Sequence, residues 1–305
     1  MLMLLGLLPL ALIGFVFDSD TDDDENSITE NGTEGNDTIA GETGDDFIDG
    51  EGGDDLLSGL AGDDTIFGRD GDDVLEGADG RDMLCSGDGE DIVTGNRGSD
   101  LIEGQGGDDW VSGDYGFDTV RGDEGDDTVI GGRGSDTVVG GEGDDLIFGG
   151  ILQGIPLSLE EMAEVRDGAS LAEVNGGIDM RADSLGNALR GGDGDDDIIL
   201  GDLDVATGNA GADTFHIMSE QRIGEPSQIN DYSPGSDAIT IIVENTEAEA
   251  DITVTADGPN AIISLNGVML ATVNNAADIL QASDITLIAE DTVEAMFDPN
   301  AAAAA

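Results

Sequence analysis

Thirteen aspartates, each nine residues from the next, are the side chains of this sequence best placed to do chemistry. They are Asp37, Asp46, Asp55, Asp64, Asp73, Asp82, Asp91, Asp100, Asp109, Asp118, Asp127, Asp136 and Asp145. Each is the sixth residue of a nine-residue phrase that runs from Gly32 to Phe148 without insertion or deletion. Carboxylate oxygens are preferred ligands of hard divalent cations. A carboxylate repeated at constant spacing therefore predicts a repeated cation site.

The other fixed positions predict the element that carries these carboxylates. Glycine occupies the first position in twelve of the thirteen copies and the fourth position in all of them. The eighth position is always aliphatic, from Ile39 to Ile147, and the ninth is often polar or charged, as in Glu76. Each phrase therefore predicts a tight turn followed by a short strand, with the eighth side chain inward and the ninth outward. One such unit buries too little alone, so the copies must stack.

With these positions fixed, the sequence resembles the RTX, or hemolysin-type, calcium-binding repeat family. The second glycine of that family's phrase is present in only three copies, at Gly87, Gly132 and Gly141. The resemblance implies an all-β fold, a parallel β-roll (β-solenoid) in which two phrases form one coil. It also implies calcium in the turns between successive coils.

Two phrases per coil place residues eighteen apart above one another, in two rows of aspartates. Row one is Asp37, Asp55, Asp73, Asp91, Asp109, Asp127 and Asp145. Row two is Asp46, Asp64, Asp82, Asp100, Asp118 and Asp136. One Ca²⁺ between each stacked pair gives at most eleven ions in the main roll, which is six in row one and five in row two. Magnesium fits such a site less well, because it requires a tighter octahedron and retains its waters.

Charge indicates that metal binding is coupled to folding. Residues 32–148 contain 34 Asp or Glu and five Arg, a net charge of −29. Eleven calcium ions would leave −7, whereas without metal the stacked carboxylates repel one another. Composition alone favours disorder, because the chain is acidic, rich in glycine and poor in aromatic residues. The strict period favours the roll, and disorder remains the interpretation of the metal-free state.

The composition of the whole chain restricts its partners. The 305 residues carry a net charge of −61, so nucleic acid is not an expected partner. Cys85 is the only cysteine, which excludes an internal disulfide, and its ninth position predicts a tolerated surface residue. Many calcium sites would have little use in the cytosol, where free calcium is scarce. The repeats therefore predict an extracellular or cell-surface protein.

We divide the chain into five parts. Residues 1–31 are an apolar N-terminal segment and an acidic linker, 32–150 the β-roll, 151–186 an insert, 187–289 a resumed roll with a C-terminal β cap, and 290–305 a disordered tail. Residues 1–17 could be a signal, a membrane contact or neither. Capping-box patterns predict a short helix near 158–166 and a turn near 170–174. We expect a lid or spacer between two roll segments, or else a helix that binds a partner.

The resumed roll repeats the phrase irregularly. Asp196 and Asp213 are candidate ligands, and Asp204 is a weaker one. Residues 228–242 are similar to the segment that ends RTX rolls in serralysin-like domains. Strands are predicted near 251–256, 261–265, 268–273 and 284–288, with a hairpin at Asn266-Gly267. The resemblance to RTX proteins implies that the tail is an uncleaved signal for type I secretion.

Nothing in the sequence predicts an enzyme. His216 is the only histidine and is interpreted as structural, so no nucleophile–histidine set can be assembled. The zinc-binding HExxH helix of serralysins is missing from the sequence. The favoured function is a secreted calcium-binding protein that folds on binding calcium and has a structural or surface role. The alternative is a calcium-dependent secretion or folding module that serves a partner enzyme or toxin, and an unrecognised hydrolase is a third hypothesis.

Overall fold

A computed structural model describes residues 26–153, 157–167, 169, 179–181, 185–219, 225–243 and 250–297. Most strands of these residues belong to two long sheets. Sheet one contains, in spatial order, β1 (Thr29–Thr33), β3 (Phe47–Glu51), β5 (Thr65–Asp70), β7 (Met83–Asp88), β9 (Leu101–Gly106), β12 (Thr119–Glu124), β15 (Thr137–Glu142), β19 (Ala188–Asp193), β21 (Val205–Ala210), β23 (Ser227–Ile229), β27 (Val268–Val273), β26 (Asn260–Leu265) and β25 (Ile252–Asp257).

Sheet two is built from the alternate strands along the chain. Its main path is β2 (Thr38–Ala40), β4 (Leu56–Ser58), β6 (Val74–Asp79), β8 (Ile92–Arg97), β10 (Trp110–Ser112), β13 (Thr128–Ile130), β16 (Leu146–Phe148), β20 (Asp197–Leu200), β22 (Thr214–Met218), β24 (Ala238–Val243) and β28 (Ile285–Ala289). The short strands β11 (Tyr115–Gly116) and β14 (Arg133–Gly134) pair beside this path.

The register of the main roll is eighteen residues, because Ile48 pairs with Ile66 and Val120 pairs with Val138 in parallel strands. The chain thus visits each sheet once per coil and advances by one strand. An all-β parallel β-roll with two phrases per coil is confirmed.

The eighth side chain of every phrase points inward, as predicted. All thirteen, from Ile39 to Ile147, are buried in one cluster between the two sheets. The first strand differs, because Glu30 lies beside Ile48 where later coils have an aliphatic residue. An inward-pointing charge on an edge strand disfavours the pairing of another chain with that edge.

The fourth position requires glycine because successive turns touch there. Gly53 has φ of +105°, and a Cβ on it would lie 2.7 Å from the backbone nitrogen of Asn36 in the coil before. Neither the backbone angle nor the space admits a side chain.

The insert does not separate two roll segments, which corrects the prediction of a spacer. Val138 pairs directly with Leu189, and Ile147 pairs with Ile198, so the coils continue across the insert. The insert begins with β17 (Ile151–Gln153), which is antiparallel to β18 (Asp179–Arg181). Its helix α1 (Leu159–Arg166) is close to the predicted span, and Ser158 and Glu161 form the predicted capping box. The predicted turn near 170–174 lies outside the described residues.

Helix α1 lies against the outer face of sheet two, over β4 and β6. These strands precede β16 by several places in the sheet, so the insert runs back along the roll by roughly 20 Å. Met162 and Val165 pack there with Val74, Ile92 and other outward residues in a second apolar cluster. The insert therefore covers one face of the roll.

The prediction of a disordered tail from residue 290 is wrong for its first eight residues. Helix α2 (Glu290–Glu294) and a 3₁₀ turn (Ala295–Phe297) follow β28 directly. Val293 and Phe297 are buried, and the rings of Phe297 and Phe148 lie 5.7 Å apart. The residues from 298 onward lie outside the described part of the chain.

The C-terminal strands form as predicted. β25, β26 and β27 are consecutive antiparallel strands at the end of sheet one, and β28 ends sheet two. Asn266 and Gly267 form the predicted hairpin turn, with φ of 52° and 80°. Within the described residues, no helix is long and apolar enough to span a membrane. The segment 1–17 lies outside them.

Cys85 is buried, which corrects its interpretation as a surface residue. Only 6% of it is exposed, and its Sγ lies 3.8 Å from a carboxylate oxygen of Glu103. Burial and the charge of Glu103 raise the pKa of the thiol to about 11, so it stays protonated at neutral pH.

Candidate metal centre

The aspartates of the sixth position stand in the two predicted rows, each at the end of a turn and just before a strand. The backbone N–H of Asp37 donates to Oδ1 of Asp55 at 2.7 Å, and that of Asp46 donates to Oδ1 of Asp64 at 2.8 Å. The same hydrogen bond recurs from coil to coil through both rows, for example from Asp73 to Asp91. One carboxylate oxygen of every row aspartate after Asp37 therefore joins two coils.

The second oxygen of these aspartates has no hydrogen-bond partner although it is buried. This holds for Oδ2 of Asp55, Asp64, Asp73, Asp82, Asp91, Asp100, Asp109, Asp118, Asp127, Asp145 and Asp196. Buried carboxylate oxygens without a partner are costly, so a row of them indicates that these oxygens bind a ligand. A bound cation is the partner that would satisfy all of them in the same way.

Each of these oxygens except that of Asp91 faces the glycine at the first position of its own phrase, which has no side chain. The first position before Asp91 is Ser86. A Cβ on Gly113 would lie 2.7 Å from Oδ2 of Asp118 and 2.7 Å from the carbonyl oxygen of Gly131 in the next coil. The glycine thus leaves a small cradle bounded by a carboxylate oxygen and a carbonyl oxygen. Such oxygens are the donors that calcium prefers, and nitrogen or sulfur ligands are not needed.

Backbone oxygens are a necessary part of such a site. Among the residues that the structure describes, no three His, Cys, Asp or Glu side chains converge on one point. Calcium takes about 6–8 oxygen ligands, so two carboxylates per step would need turn carbonyls to complete the shell. The cradle at Gly113 brings both kinds of oxygen together, so these residues fit calcium.

Burial favours the protonated form of interior row aspartates, such as Asp73 and Asp109, in the metal-free roll. Burial, together with the charge of Asp91, raises the pKa of Asp109 to about 9 and that of Asp73 to about 8. Burial raises the pKa of Asp55, the second aspartate of row one, to about 6. A cation beside these groups would act in the opposite direction and favour the charged form.

The first aspartate of each row differs from the others. Oδ2 of Asp37 accepts the N–H of Thr33 at 2.6 Å, and Oδ2 of Asp46 accepts the N–H of Glu42 at 2.6 Å. Both therefore have local partners for this oxygen. Their role as ligands remains a prediction, as it does for the whole set.

The resumed roll continues the coil-to-coil hydrogen bonds of both rows, but only row one continues with an aspartate in the next place. The N–H of Asp145 donates to Oδ1 of Asp196 at 3.1 Å, and that of Asp196 donates to Oδ1 of Asp213 at 3.3 Å. In row two the next places are taken by Asn187 and Asp204. Oδ2 of Asp204 accepts the N–H of Gly201 at 2.7 Å, so this carboxylate is engaged within its own turn.

Two residues of the rows were missed from the sequence. Oδ1 of Asn187 accepts the N–H of Asp136 at 2.8 Å, and Oδ1 of Asp237 lies 3.4 Å from the nitrogen of Asp213. Gly235-Ser236-Asp237 repeats the fourth to sixth positions of the phrase, and that pattern could have identified Asp237. Asn187 could have been found by counting back from Gly191, but it is not acidic.

His216 lies outside both rows and has a partner on each ring nitrogen. Nδ1 lies 2.6 Å from Oγ1 of Thr240, and Nε2 lies 2.9 Å from Oδ1 of Asp197. The side chain is buried within sheet two. These contacts support the prediction that it is structural.

Comparison with known proteins agrees with this geometry. The family pattern described as "RTX calcium-binding nonapeptide repeat (4 copies)" matches residues 31–66, 52–84, 86–120 and 121–151. Residues 31–151 of this chain therefore consist of RTX calcium-binding nonapeptide repeats. The similarity of the C-terminal region to serralysin-like domains stays a prediction.

One similar solved structure is the extracellular lipase LipA from Serratia marcescens. The sequence identity is 15% and the TM-score is 0.25, over 81% of this chain and 40% of the lipase. This chain thus matches less than half of the length of that protein. No curated protein sequence matches the chain.

Proposed function

We propose that this chain is a secreted calcium-binding protein whose roll folds as calcium binds, and that its role is structural or at a surface. The observation that carries the proposal is the row of buried Oδ2 atoms, each without a hydrogen-bond partner and all but that of Asp91 facing a glycine cradle. Their number and regular spacing distinguish them from an occasional unsatisfied polar group. The family match supports one part of this proposal, which is that the repeats bind calcium.

Calcium would lie between stacked aspartates and turn carbonyls of successive coils. The main roll would hold up to about eleven ions, one per step of the two rows. Asp196 and Asp213 would add further steps to row one. Each interior aspartate would serve the ion above it and the ion below it, so binding at one step should favour binding at the next.

Extracellular location and the absence of catalysis belong to the same proposal. A protein that needs many calcium ions to fold would be ordered where calcium is abundant. Its charge of −61 disfavours nucleic acid as a partner. The sole histidine, His216, is already engaged by Thr240 and Asp197. The tail, residues 290–305, would carry a type I secretion signal, and residues 1–17 could contact a membrane.

The second candidate is a module that helps a partner enzyme or toxin to fold or to be secreted. Both ring nitrogens of His216 already have hydrogen-bond partners, which favours the module. Any associated catalytic activity would then come from another polypeptide. Co-purification of an active enzyme with the calcium-loaded chain would support the module. Hydrolase activity of the isolated chain would instead contradict both candidates.

Paired variants of two adjacent aspartates test the proposed sites. Asp109 is buried in row one with Oδ2 unpaired, whereas the neighbouring Asp108 is exposed in the turn. We expect Asp109→Asn to bind fewer calcium ions per chain in equilibrium dialysis followed by elemental analysis. Asp108→Asn removes the same charge and should retain the number found for the parent. Equal losses in both variants would show that charge alone, and not the row, binds the metal.

A further inference from the structure

Asn187 occupies the aspartate place of row two in the first coil after the insert. Its Oδ1 accepts the N–H of Asp136 at 2.8 Å, as the aspartates of the row do for the coil before them. The side chain is 2% exposed. It therefore reproduces the coil-to-coil hydrogen bond of a row aspartate without the charge.

The second atom of this side chain is a donor where the aspartates have an acceptor. Nδ2 of Asn187 donates to the carbonyl oxygen of Gly149 at 2.9 Å and to Oδ1 of Asp204 at 3.0 Å. A Cβ on Gly149 would lie 2.7 Å from this nitrogen. In the same place of an earlier coil, the glycine cradle at Gly113 faces Oδ2 of Asp118.

The amide donor of Asn187 excludes a cation from the space between the Asp136 and Asn187 turns. The carbonyl oxygen of Gly149 lies 3.1 Å from the Cβ position of Gly131 and so belongs to the cradle of the preceding coil. Because the Asn187 N–H already satisfies that carbonyl, the partial positive charge of the amide stands where calcium would. Amide nitrogen that still carries its protons is not a metal ligand.

The opposite edge of the same coil keeps the acidic pattern. Asp196 accepts the N–H of Asp145 through Oδ1, and its Oδ2 is buried without a hydrogen-bond partner. One coil thus has an amide on the row-two edge and a carboxylate on the row-one edge. The two edges differ only after the insert, where the chain returns to the roll.

We propose that row two ends in a metal-free joint, in which the Asn187 amide replaces the calcium ion between the Asp136 and Asn187 turns. This inference rests on the proposed function, because it concerns which steps of the rows take calcium. The joint holds the returning coil to the main roll by hydrogen bonds that need no metal. Row one continues to take calcium across the same junction, between Asp145 and Asp196.

Restoring the carboxylate tests the joint. Asn187→Asp should bind one more calcium ion per folded chain than the parent, measured by equilibrium dialysis and elemental analysis after gel filtration. Asn275→Asp is the matched control, because Asn275 is exposed in a C-terminal turn with φ of 57° and lies outside the rows. It adds the same charge and should leave the ion number unchanged.

A second variant covers the case in which Asn187→Asp fails to fold. Asn187→Leu removes both polar atoms, so it should raise the calcium midpoint of folding but leave the number of bound ions unchanged. Loss of an ion in Asn187→Leu would show that Asn187 binds calcium and would overturn the joint. An unchanged ion number in folded Asn187→Asp would overturn it as well. A parent that binds no calcium would instead defeat the proposed function itself.

Discussion

Each interior aspartate of the rows divides two tasks between its two oxygens. Oδ1 accepts the N–H of the aspartate one coil earlier, as Asp118 does for Asp100 at 2.9 Å, while Oδ2 of Asp118 faces the glycine cradle. Stacking and metal binding are thus separate functions of one side chain. Replacing aspartate by asparagine should preserve the first function and remove the second.

Successive side chains of a β-strand point to opposite faces, so two adjacent residues can test which face forms the core. Val138 is completely buried between the sheets, whereas the neighbouring Thr137 is exposed on the outer face. Val138→Asp places an unpaired charge in the core and should destabilise the calcium-bound form by roughly 3–5 kcal/mol. Thr137→Asp should have a much smaller effect on the thermal unfolding midpoint. Similar midpoints for the two variants would contradict the inward direction of the eighth side chain.

The raised pKa values of the row predict that acid partly replaces calcium. Asp109 and Asp73 have folded pKa values of about 9 and about 8, whereas the ordinary value is 3.8. Protons therefore bind the folded form more tightly. The metal-free folded form is most stable at low pH, and that stability is lost as the pH rises through the folded pKa values. In the presence of a chelator, far-UV circular dichroism should show more β-structure at about pH 5 than at about pH 8. An equal or smaller β signal at the lower pH would contradict this.

At the scale of the turn, glycine is required by the distance between coils. Gly53 and Gly52 are adjacent, but only Gly53 has a left-handed backbone and a Cβ position 2.7 Å from the coil before. The nearest atom to a Cβ on Gly52 lies at 3.5 Å, an ordinary contact.

Gly53→Ala should therefore lower the free energy of unfolding by at least about 1–2 kcal/mol, since the backbone alone costs this much. Gly52→Ala should change it little. Chemical denaturation at saturating calcium compares the two variants. If both unfold at the parent's denaturant concentration, the turns do not approach each other as closely as described.

The helix of the insert contacts the roll several coils away from the point where the insert leaves and rejoins it. Nη1 of Arg166 lies 3.2 Å from the carbonyl oxygen of Asp55, and Met162 is completely buried on sheet two. The insert should thus be protected only when the roll beneath it is folded.

Truncation of Met162 tests this docking. Met162→Ala should cost about 2–5 kcal/mol of local packing and expose α1 to protease in calcium. Glu164→Ala, on the exposed side of the same helix, is the control and should leave the cleavage rate near that of the parent. Limited proteolysis followed by mass spectrometry locates the cuts. Protection of α1 in both variants would show that Met162 does not hold the helix on the sheet.

The regular parts of the fold could be predicted from the sequence, and the irregular parts could not. A fixed period states which residues stack, so the rows and the inward positions, such as Val138, followed directly. The burial of Cys85 and the packing of Phe297 depend on what covers an outer face, and a repeat pattern contains no information about that. The return of α1 over β4 is likewise a long-range contact without a local signal. The effect of having a neutral Asn187 in an aspartate row is visible only from the hydrogen-bond partners of its amide.

At the scale of the whole molecule, the fold is a stack whose neighbouring coils repel one another unless a cation lies between them. Residues 32–148 carry a net charge of −29, and the side chains between the sheets form a thin core. Stability in such a solenoid depends on the interfaces between coils. Because each interface contains two proposed calcium steps, metal binding and stacking should occur together.

Far-UV circular dichroism of the full chain during a calcium titration at neutral pH tests this coupling most directly. We expect a largely disordered spectrum in chelator and a cooperative change to β-structure at millimolar calcium or below. Magnesium at the same concentrations should produce much less β-structure, because its octahedral shell fits the cradles poorly. A chain that is already β-rich in chelator at neutral pH, with no further change on adding calcium, would contradict the account.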